Sequence, residues 1–246
     1  MPSDFVGTGA AGFYIDPLYF VFVLPAMLLA FYAQSRVRSA YSRWSRVRNN
    51  RGVTGVQVAQ VLLPRENMTN VRLEGTPGEL SDHYDPGKNT LRFSPAVASQ
   101  PTIAAMSIAA HEIGHAAQDR DGYLWLRVRG GIVPFVQIGS QLGYLVFFLG
   151  LMGQLTGLAW LGILLIASGT IFALVTLPVE LDASNRAMRM LEQHNLITSA
   201  EEKRAARDML DAAALTYFAA AAQALSVLLY YVMLLMRSSA SSSDRR

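Results

Sequence analysis

Cysteine is absent from the 246-residue chain. Disulfides, thiolate metal sites and thiol nucleophiles are therefore excluded. Charge is scarce: 16% of residues are charged and 52% hydrophobic, against about 25% charged in a soluble globular protein. The deficit falls in three places. No charged residue lies between Asp16 and Arg36, between Arg129 and Glu180, or between Asp211 and Arg237. The net charge is only +3, which membrane topology accounts for, so nothing points to a nucleic-acid partner.

A helix crossing the hydrocarbon core needs about 20 mostly apolar residues. The first and third gaps each fit one crossing. The middle gap fits two, with the glycines and polar residues of GLMGQLTG supplying a turn. The pattern predicts a mainly α integral membrane protein with four transmembrane helices, at 17–33, 132–149, 158–177 and 212–236. A soluble helical protein would need polar surface that this composition lacks. Acids rather than bases precede the first crossing, which argues against a cleavable leader. Six arginines, from Arg36 to Arg51, follow it. The positive-inside rule then places residues 1–16 outside and the rest of the polar chain (34–129 and 178–211) in the cytoplasm, against a bacterial plasma membrane. The end, 237–246, is serine-rich and reads as a disordered tail.

Within 34–129, the Val37, Tyr41, Trp44 and Val47 spacing among arginines suits a helix lying in the headgroup layer. TGVQ, with Thr54 and Gln57, is a capping box opening a short helix. NVRLEG reads as a strand, and 78–94 as a hairpin around DPGKN with its second strand at 90–93. Pro101 and Thr102 start a helix running to about Gln118. A further helix restarts at Pro178, and an amphipathic one follows Thr198 and leads into the last crossing.

Histidine is scarce as well, with four in the chain, and two of them stand in AAHEIGHAAQ. His111, Glu112 and His115 form H-E-x-x-H on a predicted helix. Residues four apart share one face, so both imidazoles reach a single ion, here Zn²⁺. Glu112 points to a neighbouring face, placed to act on water as a general base and not as a ligand. A catalytic zinc site takes three protein ligands, and no further histidine follows at close spacing. The remaining candidate is an acid. The uncharged stretch after Arg129 spans about 75 Å as helix, enough to cross and return, so Glu180 emerges on the histidines' side. Asp182 is the rival ligand, or an acceptor that fixes a histidine tautomer.

SDHYDP, AAHEIGHAAQ, LPVELDASNRA and LDAAALTYFAAA occur in the order and spacing of the bacterial zinc-dependent neutral membrane metallopeptidases, the YugP-like proteins. The chain resembles that family from about residue 52 to 231. The family in turn is similar to the HtpX and CAAX-prenyl-protease class of membrane gluzincins. The resemblance implies a small α+β zincin-type catalytic region, with Glu180 as third ligand and peptide hydrolysis as the activity. In that wider class an acid follows the glutamate by four residues. Ser184 stands there in this chain, which leaves the second acid unassigned. The expected substrates are peptides or membrane proteins close to the bilayer. Candidate oxyanion donors are His83, Tyr84, Arg186, His194 and Tyr217. The gluzincin likeness also suggests that the strand at 90–93 pairs with an extended substrate, with His83 on the substrate side.

Two other classes compete. A zinc-stabilised membrane scaffold without turnover would have no use for Glu112. A small transporter would carry ionisable residues inside its crossings; here only the amides of Gln137, Gln141, Gln154 and Gln223 occur there or at the turn, where they suit helix packing.

Overall fold

The computed structural model describes residues 17–243, so the expectation for 1–16 falls outside the described residues. Nothing between residues 33 and 44 breaks a helix, and α1 runs without interruption over Pro17–Trp44. The separate headgroup-layer helix is therefore not found. Val37, Tyr41 and Trp44 instead pack with Ala40, Ala104 and Met209, against neighbouring helices. Arg36 pairs with Asp208, whose other oxygen accepts from Trp44 Nε1 at 2.8 Å.

The small sheet sits beside this bundle. Helix α2 (Gly55–Arg65) starts on the expected capping box: Thr54 Oγ1 accepts from Gln57 N, and Gln57 Oε1 from Thr54 N. Strands β1 (Arg72–Gly75), β2 (His83–Asp85) and β3 (Thr90–Phe93) follow in spatial order β1-β3-β2. The hairpin around DPGKN is present, with β2 antiparallel to β3, while β1 pairs with β3 in parallel. β3 is thus the middle strand. Both its edges are taken, so it cannot pair with a substrate as the gluzincin likeness suggested; the outer edge on that side belongs to β2. A short helix, α3 (Pro95–Ser99), then leads to α4 (Ile103–Arg120), capped by Thr102 Oγ1 accepting from Ala105 N. Val58, Leu62, Leu91, Phe93, Met106 and Ile113 join Met188 and Leu191 in one buried core.

Helices α5 (Leu124–Met152) and α6 (Thr156–Gln193) form an out-and-back pair joined at Gly153–Leu155. Gly143 lies against Ile166, Gly150 against Ala159 and Gly162 against Phe147. These positions sum to a constant, which is the signature of antiparallel register. At each, a Cβ would fall 3.0 Å or less from the partner's backbone, so small residues set the spacing as they do between membrane helices. α6 passes through Pro178 unbroken. The expected restart there does not occur, since neighbouring helices in such bundles compensate the hydrogen bond a proline forfeits. Likewise α7 (Ala200–Ser243) joins the amphipathic segment and the last apolar segment in one helix. The serine-rich end is helical to Ser243; 244–246 lie outside the described residues.

Among the described residues three helices, α1, α6 and α7, are each long and apolar enough to cross a membrane. α5 meets that measure only if its halves, Leu124–Gly139 and Gln141–Met152, inclined by 43°, count as one span. Phe31, Phe135, Trp160 and Leu164 stand exposed on these helices, as lipid-facing residues do.

One contact positions everything that follows. Gly114 of α4 lies against α6, where a Cβ would stand 2.5 Å from the Ala183 carbonyl oxygen. Gly114→Ala is expected to destabilise the protein by about 1–3 kcal/mol through overpacking. Gly157→Ala, which meets nothing within 4 Å, should leave the thermal midpoint in detergent unchanged. Equal midpoints for the two variants would contradict the close approach.

Candidate metal centre

Apart from its histidine motif and its last turn, α4 is built of small and apolar residues, and α2, α6 and α7 pack round it. Such a helix has no solvated face on which to hide a polar side chain. Its histidines therefore need partners inside the protein. Helical spacing puts His111 and His115 on one side, their rings 4.8 Å apart and nearly perpendicular at 85°. Because Gly114 lets α6 approach, Glu180 of α6 meets both. Glu180 Oε2 lies 3.3 Å from His111 Nε2 and 3.6 Å from His115 Nε2. The three candidate ligand atoms all lie within 4.8 Å of one another.

The outer ring nitrogens are held by the chain. Gln118 Nε2 donates to Val179 O at 2.7 Å and to Asp182 Oδ2 at 2.9 Å. Its Oε1 is thus turned to His115 Nδ1, 3.0 Å away, and can only accept. His115 consequently carries its proton on Nδ1 and offers the Nε2 lone pair to the centre. Ser184 Oγ, 3.2 Å from His111 Nδ1, takes the corresponding place for the other ring.

These features fit zinc. A tetrahedral ion with bonds of ~2.0–2.1 Å spaces its donor atoms ~3.3–3.4 Å apart, close to the Glu180–histidine separations. Two imidazoles and one carboxylate oxygen are a donor set zinc accepts, with a position left over for water.

Glu112 stands beside this group and outside it. Its Oε2 accepts from the backbone N–H of Tyr84 on β2 at 3.0 Å. Burial raises its carboxyl above the ordinary carboxylate range; His111 and His115 oppose that shift and Glu180 adds to it. The centre opens into a cavity of about 480 Å³, to which His83, Tyr84, Arg127, Arg129 and Tyr217 contribute.

Of the other residues singled out in the sequence, His83 and Tyr217 face this cavity. His83 Nδ1 is 2.8 Å from Ser81 O. The Tyr84 hydroxyl is turned away, donating to Asp119 at 2.8 Å, and burial followed by Asp119 pushes its pKa up. Asp182 is not among the converging ligand atoms; it accepts from Gln118 and, at 2.6 Å, from Arg186 Nε. Arg186 lies outside the cavity, bridging Asp182 and Asp121. His194 is elsewhere, 2.8 Å from Glu66. Sequence reasoning passed over Gln118, which follows His115 by three, and Arg129, whose Nη1 donates to Glu180 Oε1 at 3.0 Å. Arg129 had a signal: it is the last charge before the uncharged stretch, as Glu180 is the first after it.

No solved structure matches the chain. A relative in Bacillus subtilis (strain 168), "Putative membrane protease YugP", is 37% identical over 198 residues, covering 80% of this chain and 88% of the relative. The family model described as "Putative neutral zinc metallopeptidase" matches residues 19–236. That match takes in all three converging ligands, Glu112 and every apolar helix, and the chain belongs to this YugP-like family of zinc metallopeptidases.

Proposed function

We propose that the protein is a membrane-embedded zinc endopeptidase of the zincin type that cleaves membrane-associated proteins or peptides. The observation that carries this reading is the convergence of His111, His115 and Glu180 beside a buried, non-converging Glu112. His111 Nε2, His115 Nε2 and one oxygen of Glu180 would hold the ion. Zinc, when bound, supplies Lewis acidity and lowers the pKa of a water it holds toward ~7.

The chain's own residues do the rest. Glu112 takes a proton from the attacking water and returns it to the amine nitrogen that leaves as the C–N bond breaks. A carboxyl lifted by burial suits both halves of that transfer. Asp182, steadied by Arg186, holds Gln118, and Gln118 holds the His115 ring in its ligating tautomer. The outer edge of β2 runs beside Glu112, which takes the Tyr84 N–H, and its remaining backbone groups would face an extended peptide, with His83 next to the peptide and Tyr217 as a donor to the developing oxyanion.

In this reading α1, both arms of the α5–α6 hairpin and α7 are four crossings of the bacterial plasma membrane. The hairpin turn lies outside, and the sheet, α4 and the acidic end of α6 lie in the cytoplasm. The lipid-type surface of these helices and the out-and-back register of α5 and α6 support it. A purely structural zinc site is normally closed by a fourth protein ligand and needs no adjacent base.

Three measurements test the assignment. Glu112→Gln should retain about one zinc per chain but lose cleavage of a casein-type substrate by roughly 10²–10⁴-fold; undiminished cleavage would remove Glu112 as base, and zinc without turnover in the wild type would restore the scaffold reading. Glu180→Ala should abolish stoichiometric zinc, whereas Asp182→Ala should weaken affinity by about 10–100-fold without removing the site; the reverse pattern would promote Asp182 to ligand. The cysteine-free chain also permits single-cysteine labelling: a cysteine at Gln154 should react with an impermeant reagent on intact cells, and one at Glu79 only after lysis.

A further inference from the structure

Glu180 has two carboxylate oxygens and they meet different neighbours. Oε2 faces the two imidazoles. Oε1 accepts from Arg129 Nη1 at 3.0 Å. The carboxylate is almost wholly enclosed, its side chain 3% exposed, while Arg129 reaches it from the cavity wall with 31% of its own side chain exposed. Among the described residues the Arg129 guanidinium makes no other hydrogen bond or ion pair, although it carries five N–H donors.

We propose that Arg129 is a positioning residue that ties up one oxygen of Glu180 and so confines this ligand to donating through the other. This rests on the zinc peptidase reading above and adds a reason for the site's open position. A carboxylate free at both oxygens can bind an ion with both, and the second would take the place water needs. With Oε1 engaged by a guanidinium, whose charge also repels a cation there, Oε2 is the oxygen left to face the ion. The guanidinium also draws electron density from the carboxylate, which limits how far Glu180 quenches the ion's Lewis acidity. Arg129 is suited to this by position as well as charge. It lies in the second turn of α5, on the same side of the hairpin as Glu180, so the two charges that bracket the uncharged stretch meet across its base.

The test uses the full chain in detergent, with zinc as the probe. Arg129→Gln is expected to keep zinc and to bind it several-fold more tightly in chelator competition, while kcat falls by about 10–100-fold with KM little changed. Zinc X-ray absorption should show a gain of roughly one light-atom donor in the variant, as the carboxylate closes on the ion through both oxygens. Arg129→Lys, which keeps the charge but not the fork, should fall between wild type and Arg129→Gln. A purely structural contact would lower the thermal midpoint and leave the coordination signal unmoved. Arg129→Met provides a donor-free side chain of similar length if Arg129→Gln does not fold, and failure of both to fold would assign the pair to the hairpin and overturn the proposal. Unchanged coordination and affinity in a folded variant would overturn it too. A wild type that binds no zinc or cleaves nothing would instead bring down the peptidase reading itself.

Discussion

The close packing of α4 on α6 at Gly114 and Ala183 is the constraint on which the site depends. It brings a helix bearing two imidazoles within reach of a helix bearing a carboxylate, beside the apolar core. A side chain at Gly114 would push the helices apart by more than the margin separating a hydrogen-bond distance from an empty one. The remaining features serve this contact. The short sheet closes one side of the cavity and pins Glu112 through Tyr84, and the α5–α6 hairpin returns the chain to the depth at which Glu180 is needed.

Such a centre is expensive to maintain. Glu112 and Glu180 are both buried, and the fixed positive charge beside them is Arg129, which touches Glu180. Buried carboxylates forfeit hydration that hydrogen bonds only partly replace. The structure meets that cost with a chain of fixed partners: Ser184 behind His111, Gln118 behind His115, Asp182 and the Val179 carbonyl behind Gln118, Arg186 behind Asp182. Local frustration of this kind marks a place where folding stability has been given up for chemistry. A divalent cation adds the positive charge the cluster lacks, so its binding would stabilise the fold as well as the site.

Much of the centre was legible in the chain. H-E-x-x-H fixes a shared helical face by spacing alone, and the length of the uncharged stretch places Glu180 by parity. Helix ends were less legible. Pro178 reads as a start because proline lacks an N–H, yet tertiary packing carries α6 straight through it. The arginines after residue 35 suggested a change of environment, but they do not interrupt the backbone, and α1 continues. The parallel pairing of β1 with β3 is non-local, and no periodicity announces it. That pairing is also what denied β3 a free edge. Gln118 and Arg129 escaped notice because their roles depend on which acceptor each faces in space.

α6 and α7 each pass from lipid-type surface into the polar region as one uninterrupted rod. No hinge separates the part that would sit in the bilayer from the part that carries the ligands. Glu180 follows the last residue of the apolar stretch, Val179, directly, and the rise per residue is ~1.5 Å. In the membrane peptidase proposed above, the metal centre is therefore held at a set height above the hydrocarbon, like a blade mounted on a fixed stage. For the peptidase proposed above, a target bond would be reached according to how far from the membrane it lies, and bilayer thickness would become a determinant of what is cut.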